Sequence, residues 1–296
     1  MAIECSLPRS FPRAELAEAA GAAPVRWQPV AAVGGYAENT DKWQVELANG
    51  RRVFAKQALD DLAADWLRDE HRVYSGVSAP FMPELVGLWN GERPVLVLED
   101  LGDARWPPPW RSGDVDAVLA VLEVVAATPP PAGVPELEEL RERLNGWNLV
   151  AEDPEPLLST GLCARDWLDS ALPALREAAA GCDLSGEALV HLDVRSDNLC
   201  FRDDRVLLVD WNLACVGNAL VDVVGWLPSL RVEGGPEPWA IVSDSGGLAA
   251  LLAGYFASRA GLPAPATAPR VRPFQLAQAR VALPWAVREL GLSFLR

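Results

Sequence analysis

The chain has 296 residues, of which half are hydrophobic and 23% are charged, and its formal net charge is −15. This length and composition predict a globular protein with two lobes and exclude a long disordered region. The acidity, without any block of Lys and Arg, argues against nucleic-acid binding, and no apolar stretch is long enough to span a membrane.

Five cysteines occur without a C-x-x-C pair, and this odd number predicts free thiols in a reducing compartment rather than a disulfide scaffold. The N-terminus lacks the basic and apolar segments of a signal peptide. We therefore expect a cytoplasmic protein, with monomer and homodimer both left open.

The first hundred residues read as strands around one helix. Alternating or apolar runs predict strands at 44–47, 52–56 and 94–98, and Asn49-Gly50 is a hairpin-turn signal. Apolar residues at three- and four-residue spacings predict a helix over 59–74. These elements form our predicted N-terminal lobe, residues 1–101.

The second part of the chain, residues 102–296, reads as mainly helical. Pro107-Pro108-Pro109 lies in a segment that fits neither a helix nor a central strand, so residues 100–110 are predicted to connect two lobes. Strands first and helices later favour an α+β fold in two lobes. Helices are predicted at 114–127, 135–147, 164–180, 248–260 and 275–290, with a strand at 188–190 and a hairpin from 199–201 and 206–209.

The most informative stretch has the pattern H-x-D-x-x-x-x-N, followed by an apolar strand that ends in Asp. It contains His191, Asp193 and Asn198, and the strand ends at Asp210. Phosphoryl transfer needs a carboxylate to orient the attacking hydroxyl and oxygen ligands for Mg²⁺. Asp193 suits the first task, and Asn198 and Asp210 suit the second. Arg195 would stabilise negative charge that develops on the transferred group.

These residues resemble the aminoglycoside phosphotransferase and choline kinase-like family of the protein-kinase-like superfamily. That family's loop usually reads H-G-D-x-x-x-x-N, so Leu192 stands here in place of a glycine. The resemblance covers about residues 30 to 230 and implies a bilobal protein-kinase-like fold. It also implies that Asp222, in the segment Gly217 to Asp222, braces the catalytic loop. His191 is predicted to support this loop rather than to carry a proton, because Asp193 already fills the role of base.

A lysine and a glutamate are predicted to form an ion pair on the nucleotide side. Lys56 closes an apolar strand, and Glu70 is centred on the apolar stripe of the following helix, where a carboxylate needs a cationic partner. The resemblance implies that such a pair positions Lys56 on the phosphates of the donor. The alternative is an unrelated strand terminus and a partly exposed helix residue.

Two further segments are predicted to contact the donor nucleotide. Gly34 and Gly35 precede the first strand pair and would allow a close approach of the backbone to phosphates, although a Gly-Gly pair is often only a turn. Glu99 and Leu101 fall where the family's lobes hinge and where backbone groups bind the base. Backbone recognition leaves no side-chain signal, so ATP and GTP are both open as donors.

The acceptor is predicted to be a small molecule with a hydroxyl group. Acidic and aromatic residues near the C-terminal helices suit an amino sugar or a heterocycle, although each could be a surface charge or a core aromatic. These candidates are Glu233, Glu237, Trp239 and Asp244, with Trp285 and Arg288 further along the chain.

We expect a kinase that phosphorylates a hydroxyl of an antibiotic of the aminoglycoside, nucleoside or peptide type and thereby confers resistance. A kinase of a primary metabolite, such as a sugar, choline or homoserine, is the alternative. A protein kinase is disfavoured because no A-P-E segment follows Asp210 and Trp211 stands in place of phenylalanine. A nucleotide-binding pseudokinase is disfavoured because the residues needed for chemistry are present.

Overall fold

A computed structural model describes residues 11–30, 39–266 and 268–293 of the chain. The first part forms one antiparallel sheet of five strands in the order β1-β2-β3-β5-β4. Helix α1 packs on one face and α2 on the other. The elements are α1 (Arg13–Ala20), β1 (Pro24–Pro29), β2 (Thr40–Leu47), β3 (Arg52–Ala58), α2 (Asp61–Gly76), β4 (Leu85–Trp89) and β5 (Val95–Glu99).

The apolar run Val95 to Leu98 forms most of strand β5 and is buried on both faces of the sheet. Val95 and Val97 pack on the α1 side with Leu16, whereas Leu96 and Leu98 pack on the α2 side. Successive side chains of a strand point to opposite faces, so a strand covered on both faces has no polar positions. The sheet is therefore held between two apolar clusters.

The hairpin between β2 and β3 has a turn of three residues, 48–50. The Leu47 N–H donates to the Arg51 carbonyl at 2.9 Å, and Gly50 adopts φ +82°, which favours glycine. Lys42 consequently lies directly opposite Lys56 in the ladder. Both lysines thus lie on the face of the sheet that looks toward the rest of the chain.

The second part of the chain is mainly helical, as predicted, and the α+β class is confirmed. Two small antiparallel pairs, β6 with β9 and β7 with β8, lie among the helices. The helices are α3 (Asp114–Ala126), α4 (Arg141–Leu144), α5 (Trp147–Glu152), α6 (Glu155–Ser159), α7 (Arg165–Gly181), α8 (Leu220–Val232), α9 (Gly246–Ala260) and α10 (Val271–Glu289). The strands are β6 (Ala188–Val190), β7 (Leu199–Arg202), β8 (Arg205–Leu208) and β9 (Cys215–Gly217), and short 3-10 helices occur at Leu137–Leu140, Trp211–Leu213 and Pro238–Ala240.

The prediction of one helix over 135–147 is wrong. The segment starts as an extended strand-like stretch, because the Val216 N–H donates to the Pro135 carbonyl at 2.9 Å and Glu136 bridges to Val216. Only a 3-10 turn and the short α4 follow, and Asn145 leaves the helical conformation at ψ 92°. Pairing with β9 therefore outweighs the helical periodicity of this segment.

Arg105 joins the connector to the helical part of the chain. Its guanidinium makes two hydrogen bonds with Asp114, at 2.9 and 2.7 Å, at the start of α3. Its backbone exchanges two hydrogen bonds with Phe201 of β7, at 2.9 and 2.8 Å. The connector after β5 is thus held against the β7–β8 hairpin, which precedes Asp210.

Among the described residues, no helix is both long enough and apolar enough to cross a bilayer.

Candidate functional site

A cleft of about 780 Å³ opens between the sheet and the helical part of the chain. Lys56 and Glu70 line it from the sheet side, and Asp193, Asn198 and Asp210 line it from the other side. The residues that the sequence predicts for phosphoryl transfer are therefore brought together in one space.

The loop between β6 and β7 is braced from below by Asp222. Its two carboxylate oxygens accept hydrogen bonds from the backbone N–H groups of His191 and Leu192, at 2.8 and 2.7 Å. The His191 ring is buried, with Nε2 2.9 Å from the Val209 carbonyl oxygen and Nδ1 3.3 Å from the Asp193 nitrogen. Burial lowers the pKa of His191, so the neutral ring donates through Nε2 and accepts through Nδ1. This geometry suits a supporting role.

Leu192 adopts a left-handed backbone conformation with φ +64°. A side chain is disfavoured there, because Cβ comes too close to the following carbonyl oxygen. At this position, the family that the sequence resembles usually has glycine. The two hydrogen bonds to Asp222 hold the backbone in this conformation despite the leucine side chain.

Asp193 is fixed by its neighbours in the same loop. The Asn198 amide nitrogen donates to the Asp193 carboxylate at 2.8 Å and to its carbonyl oxygen at 2.9 Å. Arg195 lies between two carboxylates, with Nε 3.3 Å from Asp193 and 3.0 Å from Asp197. The Asn198 amide oxygen makes no hydrogen bond with any described residue, so it remains available as a ligand.

The surroundings of Asp193 suit a general base. Burial in the cleft raises its pKa to about 6, against the opposing effect of Arg195, and the carboxylates of Asp197 and Asp210 raise the pKa further. A carboxylate is a better proton acceptor when its pKa lies close to the working pH. Asp193 is therefore ionised at neutral pH and more basic than an ordinary aspartate.

Lys56 connects the sheet with α2 and with Asp210, which lies in the turn after β8. Its ammonium nitrogen lies 2.8 and 3.0 Å from the two carboxylate oxygens of Glu70 and also contacts the Asp210 carboxylate. Lys56 and Glu70 are both almost fully buried. The Val209 N–H donates to the Asn198 carbonyl at 2.9 Å, and this hydrogen bond holds the backbones near the two predicted metal ligands, Asn198 and Asp210, next to each other. Asp210 itself adopts φ +64°.

The charges of this cluster stabilise one another. Burial alone would lower the pKa of Lys56, but the carboxylates of Asp210 and Glu70 raise it above its usual value. Burial alone would raise the pKa of Asp210, but Lys56 and Lys42 hold it well below its usual range. Lys56 and Asp210 are thus held in their charged forms, as buried ions require when they are paired. Burial raises the pKa of Glu70, and the neighbouring Lys56 ammonium opposes this effect.

Asn198 and Asp210 fit a Mg²⁺ ion. They offer one amide oxygen and one carboxylate, and Mg²⁺ at kinase sites binds one or two protein oxygens together with water and substrate phosphates. The described residues contain no cluster of three or more His, Cys, Asp or Glu side chains that could hold a metal. The donor set therefore suits a cation that arrives with phosphates rather than one held by protein ligands alone.

The predicted hinge lies at one edge of the cleft. The Glu99 carboxylate pairs with Arg202, and its backbone N–H donates to the Glu84 carbonyl at 2.9 Å. The backbone N–H of Leu101 makes no hydrogen bond with any described residue, so it can donate to a ligand. Gly34 and Gly35 lie outside the described residues.

The predicted acceptor residues do not gather in the cleft. The Glu233 carboxylate accepts hydrogen bonds from the Ser196 hydroxyl and from Trp110 Nε1, so it braces the catalytic loop from outside. Glu237 pairs with Arg231 at 2.8 Å. Among the described residues, the cleft walls include none of Glu233, Glu237, Trp239, Asp244, Trp285 and Arg288. Arg288 packs on the exposed Trp239 ring, Asp244 adopts φ +55° in a loop, and Trp285 is fully buried in the core.

Two features of the cleft were not predicted from the sequence. Lys42 lines it opposite Lys56, and apolar residues of α9 and α10 line its far end. One indication of a role for Lys42 was present in the sequence, because it is one of only two lysines in the chain. The helical spacing of apolar residues at 248–256 indicates an apolar face on α9, but it does not indicate whether this face packs on another helix or lines the cleft.

A sequence model described as the phosphotransferase enzyme family matches residues 30–268. No curated protein sequence matches the chain.

Several solved structures share the fold. A thermostable mutant of an aminoglycoside phosphotransferase, in a ternary complex with ADP and hygromycin B, has a TM-score of 0.59 and 15% identity over 96% of this chain and 99% of that one. A choline/ethanolamine kinase family protein from Mesorhizobium loti has a TM-score of 0.59 and 13% identity over 90% and 91%. A putative fructosamine-3-kinase from Thermobifida fusca has a TM-score of 0.54 and 17% identity over 92% and 98%.

The conformation of Leu192 gives a prediction about stability. We expect Leu192→Gly to be more stable than Leu192→Ala by about 1 kcal/mol, because glycine avoids the steric cost of the left-handed region. At the control position Leu149, an exposed residue of α5, we expect the usual order, with Gly less stable than Ala by about 1 kcal/mol. Urea unfolding of the four variants measures both differences. The same order at both positions would contradict the strain at Leu192.

The charges around Asp193 give a prediction about pH. We expect kcat/KM for the acceptor to rise with pH and to level off above about 6, because Asp193 must be ionised to accept a proton. Arg195→Gln should move this inflection to higher pH, since it removes the cation that lowers the Asp193 pKa. Asp197→Asn should move the inflection to lower pH. A pH profile for each variant with one acceptor tests the assignment, and three identical inflections would argue against Asp193 as the titrating base.

Proposed function

Because the chain belongs to the phosphotransferase enzyme family, we propose that it transfers the γ-phosphoryl group of ATP or GTP to a hydroxyl of a small molecule, with Asp193 as the base. It is a small-molecule kinase whose acceptor group is an alcohol. The family match covers most of the chain, and the likeness to antibiotic and metabolite kinases extends to the whole fold.

One observation carries the assignment of residues. Lys56, Asp193, Asn198 and Asp210 meet in a single cleft, although they come from β3, the loop between β6 and β7, and the turn after β8. Backbone and side-chain hydrogen bonds join the last three, and an ion pair joins Lys56 to Asp210. Phosphoryl transfer depends mainly on such positioning and on electrostatic stabilisation.

In the proposed reaction, Asp193 orients the acceptor hydroxyl and accepts its proton. The acceptor oxygen forms a bond to the γ-phosphorus, and the bond from that phosphorus to the bridging oxygen breaks to release the nucleoside diphosphate. Arg195, which lies 3.3 Å from Asp193, places a positive charge beside the transferred group. Asn198 continues to hold the Asp193 carboxylate in place.

The donor would be bound from three sides. Lys56, held by Glu70, would contact the phosphates, and the free N–H of Leu101 would donate to the base, with Glu99 beside it. Asn198 and Asp210 would hold Mg²⁺, which neutralises charge on the phosphates when it is bound. A related structure contains ADP, which supports a nucleotide in the corresponding space.

Proteins of the same fold include an enzyme with bound hygromycin B and kinases named for choline, ethanolamine and fructosamine. An antibiotic acceptor and a metabolite acceptor are both compatible with this likeness. Screening of hydroxyl compounds with ATP and with GTP, read by mass spectrometry for the addition of one phosphate, tests the proposed activity.

The role of Asp193 predicts a specific loss of turnover. We expect Asp193→Asn to lower kcat by roughly 10²- to 10⁴-fold, because the amide cannot accept the hydroxyl proton. The Kd for the Mg²⁺ complex of the nucleotide should change less than about threefold, since Lys56 and Asp210 are untouched. Steady-state kinetics and calorimetry provide the two measurements.

A matched control for this variant is Asp203→Asn in the exposed turn between β7 and β8, where kcat should stay near the wild-type value. Asp203 adopts φ +49°, a conformation that asparagine tolerates. Turnover of Asp193→Asn within tenfold of wild type would overturn the assignment of the base.

A further inference from the structure

The part of the cleft beyond Asp193 is lined by one face of α9 and one face of α10. On α9, the lining residues recur at helical spacing, from Leu248 through Leu252 to Phe256. On α10, Phe274 begins this wall beside the catalytic loop, with the Arg195 guanidinium carbon 5.9 Å from the centre of its ring. The apolar wall is therefore continuous with the position at which the acceptor hydroxyl must lie.

This wall offers no negative charge to an acceptor. Among the described residues that line the cleft on α4, α9 and α10, none is acidic, and Arg143 of α4 is the charged one. Helix α8 contributes Asp222, whose carboxylate already accepts hydrogen bonds from the backbone N–H groups of His191 and Leu192. Asp197, at the edge of the loop, is already paired with Arg195, and Glu233 is occupied by Ser196 and Trp110. An acceptor with several ammonium groups would have to bury them without carboxylate partners, which is costly.

One polar group of the wall is available to orient a ligand. Gln278 is buried, and its side-chain amide makes no hydrogen bond with any described residue. The neighbouring Gln275 accepts a hydrogen bond from Arg272 at 2.7 Å and is thus already engaged. Ligand pockets that are mostly apolar commonly use a few such groups to fix orientation.

We propose that the acceptor of this kinase is an uncharged alcohol on a largely apolar scaffold, which packs on Leu252 and Phe274 and binds the Gln278 amide. This inference rests on the proposed function, because the acceptor must present its hydroxyl to Asp193. It argues against the polycationic aminoglycosides that the acidic residues of the sequence suggested.

The test uses β-D-glucosides with alkyl chains from methyl to octyl, with kanamycin as the polycation. Kd is measured by calorimetry on the full chain with Mg²⁺ and AMP-PNP or GMP-PNP. Each added methylene should lower Kd by roughly two- to fourfold, because it is transferred from water to the apolar wall. Kanamycin should bind more weakly than octyl glucoside.

Three variants separate the parts of the proposal. Leu252→Gln should flatten the dependence of Kd on chain length, whereas Leu149→Gln, the same change at an exposed site of α5, should leave it intact. Gln278→Leu should raise Kd for every glucoside by about tenfold, because it removes the contact to the hydroxyl-bearing part. Unchanged Kd for AMP-PNP or GMP-PNP shows that each variant is folded.

The outcomes distinguish this inference from the proposed function. A Kd that does not change with the length of the alkyl chain overturns the proposal of an apolar acceptor. Tighter binding of kanamycin than of octyl glucoside also overturns it. Either result leaves the kinase assignment in place. Failure to bind either nucleotide analogue with Mg²⁺ overturns the proposed function and, with it, this inference.

A second, independent observation concerns the two lysines of the chain. Lys42 and Lys56 face each other directly across the β2–β3 ladder, and both line the cleft. Like charges at such positions are destabilising. The Glu70 and Asp210 carboxylates are bound to Lys56, and the Lys42 ammonium makes no ion pair with any described residue.

We propose that Lys42 is a second phosphate-binding residue, which shares the donor phosphates with Lys56. Burial lowers the pKa of Lys42 and outweighs the nearby carboxylate of Asp210, so an anionic ligand would stabilise its charged form. An ammonium without an ion-pair partner among the described residues places positive potential in the cleft, which attracts a polyphosphate.

Lys42→Met tests this role. It should weaken binding of the triphosphate about tenfold while leaving the affinity for the corresponding nucleoside, adenosine or guanosine, unchanged. It should also raise the Tm of the nucleotide-free protein, because the desolvation cost of the Lys42 ammonium is removed. Lys42→Arg should restore most of the triphosphate affinity. Equal weakening of nucleoside and triphosphate, or no weakening of either, would overturn the proposal.

Discussion

The site depends on one buried ion cluster, in which Lys56 lies between Glu70 and Asp210. Each member comes from a different segment: Lys56 from β3, Glu70 from α2, and Asp210 from the turn that follows β8. A buried ammonium without carboxylates, or either carboxylate without the ammonium, would carry a large desolvation cost. The sheet, the helix and the catalytic strand are therefore stable together only in the arrangement that brings these charges into contact.

The catalytic loop is positioned by a second set of contacts that leave its functional atoms free. Asp222 holds the backbone at His191 and Leu192, and Glu233 holds Ser196 from the opposite side. The left-handed conformation of Leu192 is part of this arrangement, since the turn directs Asp193 into the cleft. Strain of this kind is tolerated where surrounding contacts over-determine the backbone.

The sequence was sufficient for the reaction but not for the acceptor. The spacing from His191 to Asp210 predicts the catalytic residues because the chemistry requires fixed residue types on neighbouring loops. Glu70 was found by helical periodicity, since a carboxylate centred on an apolar stripe needs a partner. The face on which Lys42 lies depends on the length of one turn, and Asn49-Gly50 does not distinguish a two-residue turn from the three-residue turn observed. The apolar wall that we propose for the acceptor depends on how α9 and α10 pack, which periodicity alone does not specify. The acidic residues chosen from the sequence lie outside the cleft.

The scarcity of lysine has a chemical consequence. Both lysine side chains of the chain line the cleft, so no described surface outside it carries a lysine amine. The surroundings of the two amines also differ: Lys56 is paired with two carboxylates that raise its pKa, whereas burial lowers the pKa of Lys42. Acylating reagents that are used to label or immobilise proteins through lysine would therefore be directed to the nucleotide side of the cleft, where bound donor would shield their target.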